Sequence, residues 1–311
     1  MRGSSNETSK ECFITLPILF LVGEKHVLLV NIAANVFLML TASLGNLSIL
    51  LSFLHVPSLR TTSNYLLCGL ALTDLGVGLV VHPLYVSVMY SLYNNTTPHC
   101  IINSVYSIAI SFFAGVSLLY ITVIGTDRYL AITLNLRYHE FVTERKTKIA
   151  QVVMWSVSGL MTLMWLEGFL IYTNVAAVVA AVSLVVTFAV YTKLYFVVRR
   201  HKSQIQSQIP TQIYDFENVR LRRLQRSAIN TLCVFFTYLF CYLPFFVSTA
   251  IVNRSSSSPK KEVVIVLEFT VTLMLSNSSI NPLMYCFRLL EFRNALKTTF
   301  KRTFCLHSSH E

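Results

Sequence analysis

Seven runs of about twenty or more mostly apolar residues, separated by short polar connections, limit what this chain can fold into. They lie at roughly 27–54, 62–90, 100–131, 148–168, 171–198, 226–252 and 262–287. Each is long enough, at 1.5 Å per helical residue, to cross a hydrocarbon core of about 30 Å. Backbone polar groups in lipid must pair within the segment, so each run is read as a helix. Composition agrees: of 311 residues 54% are apolar and only 13% charged, where a soluble domain carries about a quarter charged residues. The sequence therefore predicts an all-α fold, an integral membrane bundle of seven helices. Gly45, Pro83, Gly115, Pro244 and Pro282 sit inside the runs and predict kinks, because neighbouring helices can satisfy the carbonyls they free.

Three regions follow from this reading: an N-terminal segment 1–26, the bundle 27–287, and a tail 288–311. In the tail, Leu289, Phe292, Leu296, Phe300 and Phe304 alternate with Arg293, Lys297, Lys301 and Arg302, which predicts a short amphipathic eighth helix on a membrane surface. Spans four and five leave only a handful of residues between them, near Gly168 to Thr173. No cleavable leader is evident before the first span, which would serve as its own insertion signal.

The net charge is +11, and its placement gives an orientation. Most of the 25 Lys and Arg fall in the connections one–two, three–four and five–six and in the tail. The positive-inside rule then puts the N-terminus outside and the C-terminus in the cytoplasm. Glycosylation sequons at Asn6, Asn94, Asn95 and Asn253 all fall on the expected outer side. Cytoplasmic loops thus account for the basic charge, and nucleic acid is not an expected partner. Among seven cysteines there is no CxxC pair, and only Cys12 and Cys100 fall in outer segments where they could pair.

Charge inside a span is costly, about 2.5–3.5 kcal/mol on insertion scales, so each instance asks for a reason. Asp74 is mid-span; it is either hydrogen-bonded to neighbouring helices or a site for a cation or proton. Asp127-Arg128-Tyr129 ends span three, as an interfacial anchor or as a switch. Asn281-Pro282-Leu283-Met284-Tyr285 ends span seven. HExxH, GxSxG and phosphate-loop motifs are missing from the sequence, and no enzyme is expected. A transporter or channel would show several intramembrane charges or paired broken helices; here Asp74 is the main deep charge.

In combination the motifs are specific. Gly45-Asn46, Leu70 to Asp74, Asp127 to Tyr129, Trp155, Cys241-Tyr242-Leu243-Pro244 and Asn281 to Tyr285 occur in order at matching depths. From about residue 30 to 305 the chain resembles the rhodopsin-like (class A) G-protein-coupled receptors. That resemblance implies an extracellular ligand and a heterotrimeric G protein as partners at the plasma membrane, with arrestin, a receptor kinase and membrane lipids besides. A chemosensory receptor of the same fold is an alternative. It further implies that Asp127 restrains Arg128 at rest, that Tyr191 and Tyr285 swing beneath Arg128 on activation, and that Tyr242 to Pro244 is the hinge of span six. Asp74, Ser117, Asn277 and Asn281 would form a polar cluster able to take sodium as an allosteric ion; no other cofactor is expected. Cys305 is placed like the family's palmitoylated cysteine.

The chain also departs from the pattern. Asn103 stands where the family's outer cysteine of span three belongs, Ser183 replaces the proline of span five, and Tyr242 replaces the tryptophan of span six. These features look like the melanocortin, cannabinoid and lysophospholipid receptor branch. Leu224 replaces an acidic residue that faces the span-three arginine in many relatives, which predicts raised basal activity. Ile110 stands at the position of the amine-binding aspartate, so an aminergic ligand is not expected, and Leu275 at that of the retinal lysine, so a light-sensing opsin is not expected; Thr249 stands at that of the adenosine-recognising asparagine, and Leu84, Asn103 and Ser107 replace the melanocortin acids. The expected ligand pocket is formed by Ile110, Ala114, Tyr242, Phe245, Phe246, Thr249, Val271 and Leu275, and it suits a lipid-like or small apolar ligand if these residues do more than pack helices. His82, Glu167 and Glu268 are the ionisable residues expected at its mouth, where each either meets a charged ligand group or is simply solvated.

Overall fold

A computed structural model describes residues 21–134, 137–167, 169–208, 211–254, 259–288 and 290–305; for some of these, 201–231 among them, only the backbone is described. Among the described residues, six helices are long and apolar enough to cross a membrane: Lys25–His55, Thr62–Tyr93, Cys100–Leu134, Ile171–Lys193, Leu232–Arg254 and Lys261–Tyr285. The fourth member of the bundle, Glu144–Thr162, is shorter and opens on the charged run Glu144-Arg145-Lys146. It reaches full depth by continuing as a 3-10 turn, Leu163–Glu167, which rises more steeply per residue than an α-helix. In chain order the helices are α1 (Lys25–His55), α2 (Thr62–Tyr93), α3 (Cys100–Leu134), α4 (Glu144–Thr162), α5 (Phe169–Gln208), α6 (Thr211–Arg254), α7 (Lys261–Arg288) and α8 (Leu290–Cys305). The seven-helix all-α architecture is as the sequence predicts. The expected loop at Gly168 to Thr173 is not: α5 is already helical from Phe169, and the tight break is the 3-10 turn before it.

Apolar patterning is inverted relative to a soluble protein. Phe37, Leu44, Val152, Leu160, Val185 and Phe240 are exposed on the outer faces of their helices, while Asn31, Asn35, Asn46, Asp74, His82 and Asn281 are buried between them. With lipid outside, there is no reason to hide leucine and every reason to hide amides.

The three intraspan prolines are accommodated differently. Pro282 lacks an N–H, which frees the carbonyl of Ser278 one turn earlier. Asn46 Nδ2 donates to that carbonyl at 2.9 Å, and Gly45 lets Pro282 approach so closely that a methyl group at 45 would meet its ring at 2.9 Å. Pro83 follows a π-helical turn at Val77–Val81 that inserts one extra residue into α2. Pro244 lies within α6, which is assigned as continuous helix through it.

The helix interfaces are stitched by further polar contacts. Trp155 Nε1 donates to the Tyr120 hydroxyl at 3.1 Å, and Gln151 Nε2 donates to the Tyr65 carbonyl at 2.9 Å, joining α2, α3 and α4. Gly69 makes room for the Tyr120 ring. At the inner surface α8 buries Phe292 and Ala295 against the bundle, with the Phe292 ring 6.2 Å from that of Tyr285. The buried spacing is that of the amphipathic helix the tail sequence predicts.

Candidate functional site

Two sites sit at opposite ends of the bundle. The outer one is a cavity of about 160 Å³. Its walls come from single helix faces. On α3, Tyr106, Ile110, Ala114 and Leu118 recur at helical spacing; on α6, Tyr238, Tyr242, Phe245, Phe246 and Thr249; on α7, Leu267, Glu268, Val271 and Met274. Trp165 and Tyr172 close the side toward α4 and α5, their rings stacked at 4.8 Å. Trp165 Nε1 is fixed by Ser111 Oγ at 2.7 Å.

Of the residues expected to line a pocket, Ile110, Ala114, Tyr242, Phe245, Phe246, Thr249 and Val271 do so. Leu275 does not: it is buried in the core one turn past Val271, on the flank of α7 rather than on the cavity face. Of the three ionisable residues, only Glu268 lines the cavity. His82 is fully buried toward α1, with Nδ1 3.0 Å from Asn35 Oδ1, and Glu167 is exposed at the end of the 3-10 turn. Tyr106, Ser111, Trp165, Tyr172 and Met274 line the cavity without having been singled out. Helical spacing from Ile110 and Val271 points to Tyr106 and Met274, whereas Trp165 and Tyr172 depend on the 3-10 turn, for which the sequence carries no clear signal.

Midway through the bundle, Asp74 is fully buried. Its Oδ1 accepts from Ser278 Oγ and its Oδ2 from Asn281 Nδ2, both at 2.8 Å. Ser278 thus joins the cluster in addition to the four expected residues. Both amide atoms of Asn277 are buried without a hydrogen-bond partner among the described residues. Ser117 is buried beside Tyr242. One carboxylate, two hydroxyls and a vacant amide oxygen are hard oxygen donors of the kind a sodium ion takes, and the residues fit that ion.

At the inner end, Asp127 is buried and its carboxylate is doubly held: Oδ2 accepts from Ser63 Oγ and Oδ1 from the Tyr138 hydroxyl, both at 2.6 Å. Among the described residues no ion pair joins Asp127 to Arg128. Tyr138 stands on a single helical turn, Tyr138–Phe141, in the connection after α3. Burial and the Asp127 carboxylate push its phenol up to about 12, so it remains a donor throughout the physiological range. The Arg128 charge reaches Tyr138, Tyr191 and Tyr285. Tyr191 packs over Gly125 and stacks on Phe235 at 5.3 Å, and the Tyr285 hydroxyl is buried without a partner among the described residues. Tyr129 beside them is half-buried. Leu224 lies in the part of α6 where only the backbone is described.

The modification sites divide. Asn94 and Asn95 are exposed at the outer end of α2. Asn253 instead donates its Nδ2, the atom a glycan would need, to Thr173 Oγ1 at 3.0 Å. Asn6 lies outside the described residues, as does the side chain of Cys305. Cys100 is disulfide-bonded; Cys12, the partner considered from the sequence, lies outside the described residues.

Comparison with known proteins agrees with this geometry. Residues 45–168 match the family model of the 7 transmembrane receptor (rhodopsin family). The chain is 24% identical to adenosine receptor A3 of Canis lupus familiaris over 89% of its own length and 93% of that receptor's. It is also 24% identical to human melanocortin receptor 3, over 89% and 86% respectively. A third relative is the octopamine receptor beta-1R of Drosophila melanogaster, at 24% over 91% of this chain and 64% of that one. Melanocortin receptors were expected from the short second outer connection and the missing proline of α5; adenosine receptors appear beside them. With the six motifs in register, the inner Asp127 cluster and the outer cavity joined in one helical bundle, the chain is similar to the rhodopsin-like family of G-protein-coupled receptors.

Proposed function

We propose that this receptor lies in the plasma membrane with its N-terminus outside, takes a small ligand with an apolar body into the cavity between α3, α5, α6 and α7, and activates a heterotrimeric G protein by outward movement of α6. The observation that carries the reading is that α6 spans both sites and carries a proline along its length. Its Tyr242 and Phe246 wall the cavity, its Phe235 stacks on Tyr191 beside Arg128, and Pro244 lies within the same continuous helix. A ligand shifts such a bundle only by contacting one arrangement better than the other, and cavity walls on a proline-containing helix supply that difference.

Asp127, held by Ser63 and Tyr138, and Arg128, close to Tyr191 and Tyr285, form the inner switch. Asp74, Ser117, Asn277, Ser278 and Asn281 would hold a sodium ion, whose positive charge would neutralise the buried carboxylate. Arrestin and a receptor kinase meet the same cytoplasmic face, Cys305 carries a lipid, and Asn6, Asn94 and Asn95 carry glycans. The hydrogen bond of Asn253 to Thr173 argues against a glycan there. Leu224 offers no acidic partner to Arg128, and basal signalling is raised. Adenosine, melanocortin and octopamine receptors match at similar identity, so identity does not select a ligand; the cavity's own chemistry must.

The test is a signalling screen in cells against each G-protein class, comparing the native receptor with Arg128→Ala. Coupling that disappears in Arg128→Ala is expected. Coupling unchanged by that substitution, or ion current or solute flux in place of coupling, would overturn the reading.

A further inference from the structure

Glu268 is 5% exposed, deep in an apolar bundle, and faces the cavity. A carboxylate can accept about four hydrogen bonds; Glu268 receives one among the described residues, from the Tyr85 hydroxyl at 3.0 Å. Behind Tyr85 lies a network of neutral groups. Thr272 Oγ1 donates to Asn31 Oδ1 at 2.8 Å and accepts from Asn35 Nδ2 at 2.9 Å, and Asn35 Oδ1 meets His82 Nδ1 at 3.0 Å. Among the described residues lining the cavity none is Lys, Arg or His, and Glu268 is the one carboxylate. Lys261, two turns above on α7, is engaged with Glu24 in an ion pair. The charge on Glu268 therefore has no protein counter-ion among the described residues.

Aromatic rings, among them Tyr106, Trp165, Tyr172, Tyr242, Phe245 and Phe246, share the rest of the wall with aliphatic and small polar side chains. Ring faces attract cations, most strongly once the cation has left water. An anion would be repelled here, and a neutral ligand would leave the carboxylate unanswered at a cost. Size sets a further limit. An apolar cavity of about 150 Å³ holds a single benzene ring, and this one measures about 160 Å³.

We propose that the cavity binds a small ammonium ligand with one ring-sized apolar body, and that Glu268 on α7 is its counter-ion. The inference rests on the cavity being the receptor's ligand site. It differs from the arrangement in which an aspartate on α3 holds an amine, because Ile110 occupies that position in this chain. Here the charge comes from the opposite wall, and Tyr85 from α2 orients it.

The experiment uses the full-length receptor in detergent with benzylamine, 2-phenylethylamine and 3-phenylpropylamine, each beside the alcohol of the same length. Thermal stability is followed for the native chain, Glu268→Gln, Glu268→Asp and Tyr85→Phe, and surface expression is measured for each. At least one amine is expected to raise the melting temperature while its alcohol does not. Glu268→Gln is expected to weaken amine binding by about tenfold or more, as loss of a buried charge partner does. Tyr85→Phe and Glu268→Asp should keep the preference for amine over alcohol, so the site stays testable if Glu268→Gln folds poorly. The proposal is overturned if alcohols match amines, if Glu268→Gln binds amines as the native chain does, or if no amine binds. Amine binding without Arg128-dependent signalling would sink the receptor reading and leave the Glu268 site standing. Signalling driven by another ligand and indifferent to Glu268→Gln would do the reverse.

Discussion

Asp127 shows how much a single buried carboxylate asks of its surroundings. It takes hydrogen bonds from Ser63 and Tyr138, and a hydrogen bond to a charged group contributes about 1.5–3 kcal/mol. Tyr138→Phe should therefore lower the thermal stability of the solubilised receptor by an amount in that range, and Ser63→Ala should act in the same direction. The double variant should fall short of the sum, because both donors serve one carboxylate. The pH dependence has a definite sign. The Tyr138 phenol is raised in the folded state to about 12, so its contribution is full below the ordinary tyrosine value near 10 and is lost as pH rises through about 12. A stability difference between native and Tyr138→Phe receptor that changed between pH 6 and 9 would contradict this. That Tyr138 grips Asp127 depends on a turn of helix in the connection, which hydropathy does not reveal.

Among the elements, α2, α3 and α4 meet where Gly69 faces Tyr120. A methyl group at 69 would come within 2.6–2.7 Å of the Tyr120 ring carbons and dislodge the hydroxyl that receives Trp155. Overpacking of this kind costs about 1–3 kcal/mol, so Gly69→Ala should reduce surface expression and thermal stability. Gly159→Ala on α4 is the control: its nearest contact would be Phe112 at an ordinary 3.7 Å, and replacing a helical glycine should be neutral or gain up to about 1 kcal/mol. Stability equal in the two variants would refute the account. The elements themselves were legible, because periodic apolar runs of spanning length have few alternatives in lipid. Their rotation was less so. Leu275 was placed by depth, and the facing of α7 put Leu267, Glu268, Val271 and Met274 on the cavity instead. His82 was placed at the mouth, but follows the π turn and points into the α1 interface.

Across the whole molecule, stability depends on the surroundings being apolar. Val185 is 68% exposed on α5, midway along its span. Val185→Lys should impair insertion or delivery to the surface, since a lysine at mid-depth costs about 2.5–3.5 kcal/mol, whereas Tyr195→Lys, exposed past the inner end of that span, should be tolerated. Equal surface expression of the two would show that α5 does not meet lipid as described. The seven-helix count could be read from the chain in advance; the shortness of α4 and the 3-10 closure that compensates for it could not, because charge at its start and apolarity at its end average out over a window.

The π turn at Val77–Val81 divides α2 into two phases. One added residue rotates everything beyond it by about 100° relative to an uninterrupted helix. Asp74, on the inner side, keeps its bonds to α7 whatever that count is; Tyr85, on the outer side, meets Glu268 only because of it. A change of a single codon in length between these points would reset which side chains the ligand sees and leave the transmission end in register. Receptors of this architecture can therefore diverge in what they detect by insertion and deletion as readily as by substitution, and an alignment that forbids a gap inside α2 will compare outer-half residues that do not share a position in space.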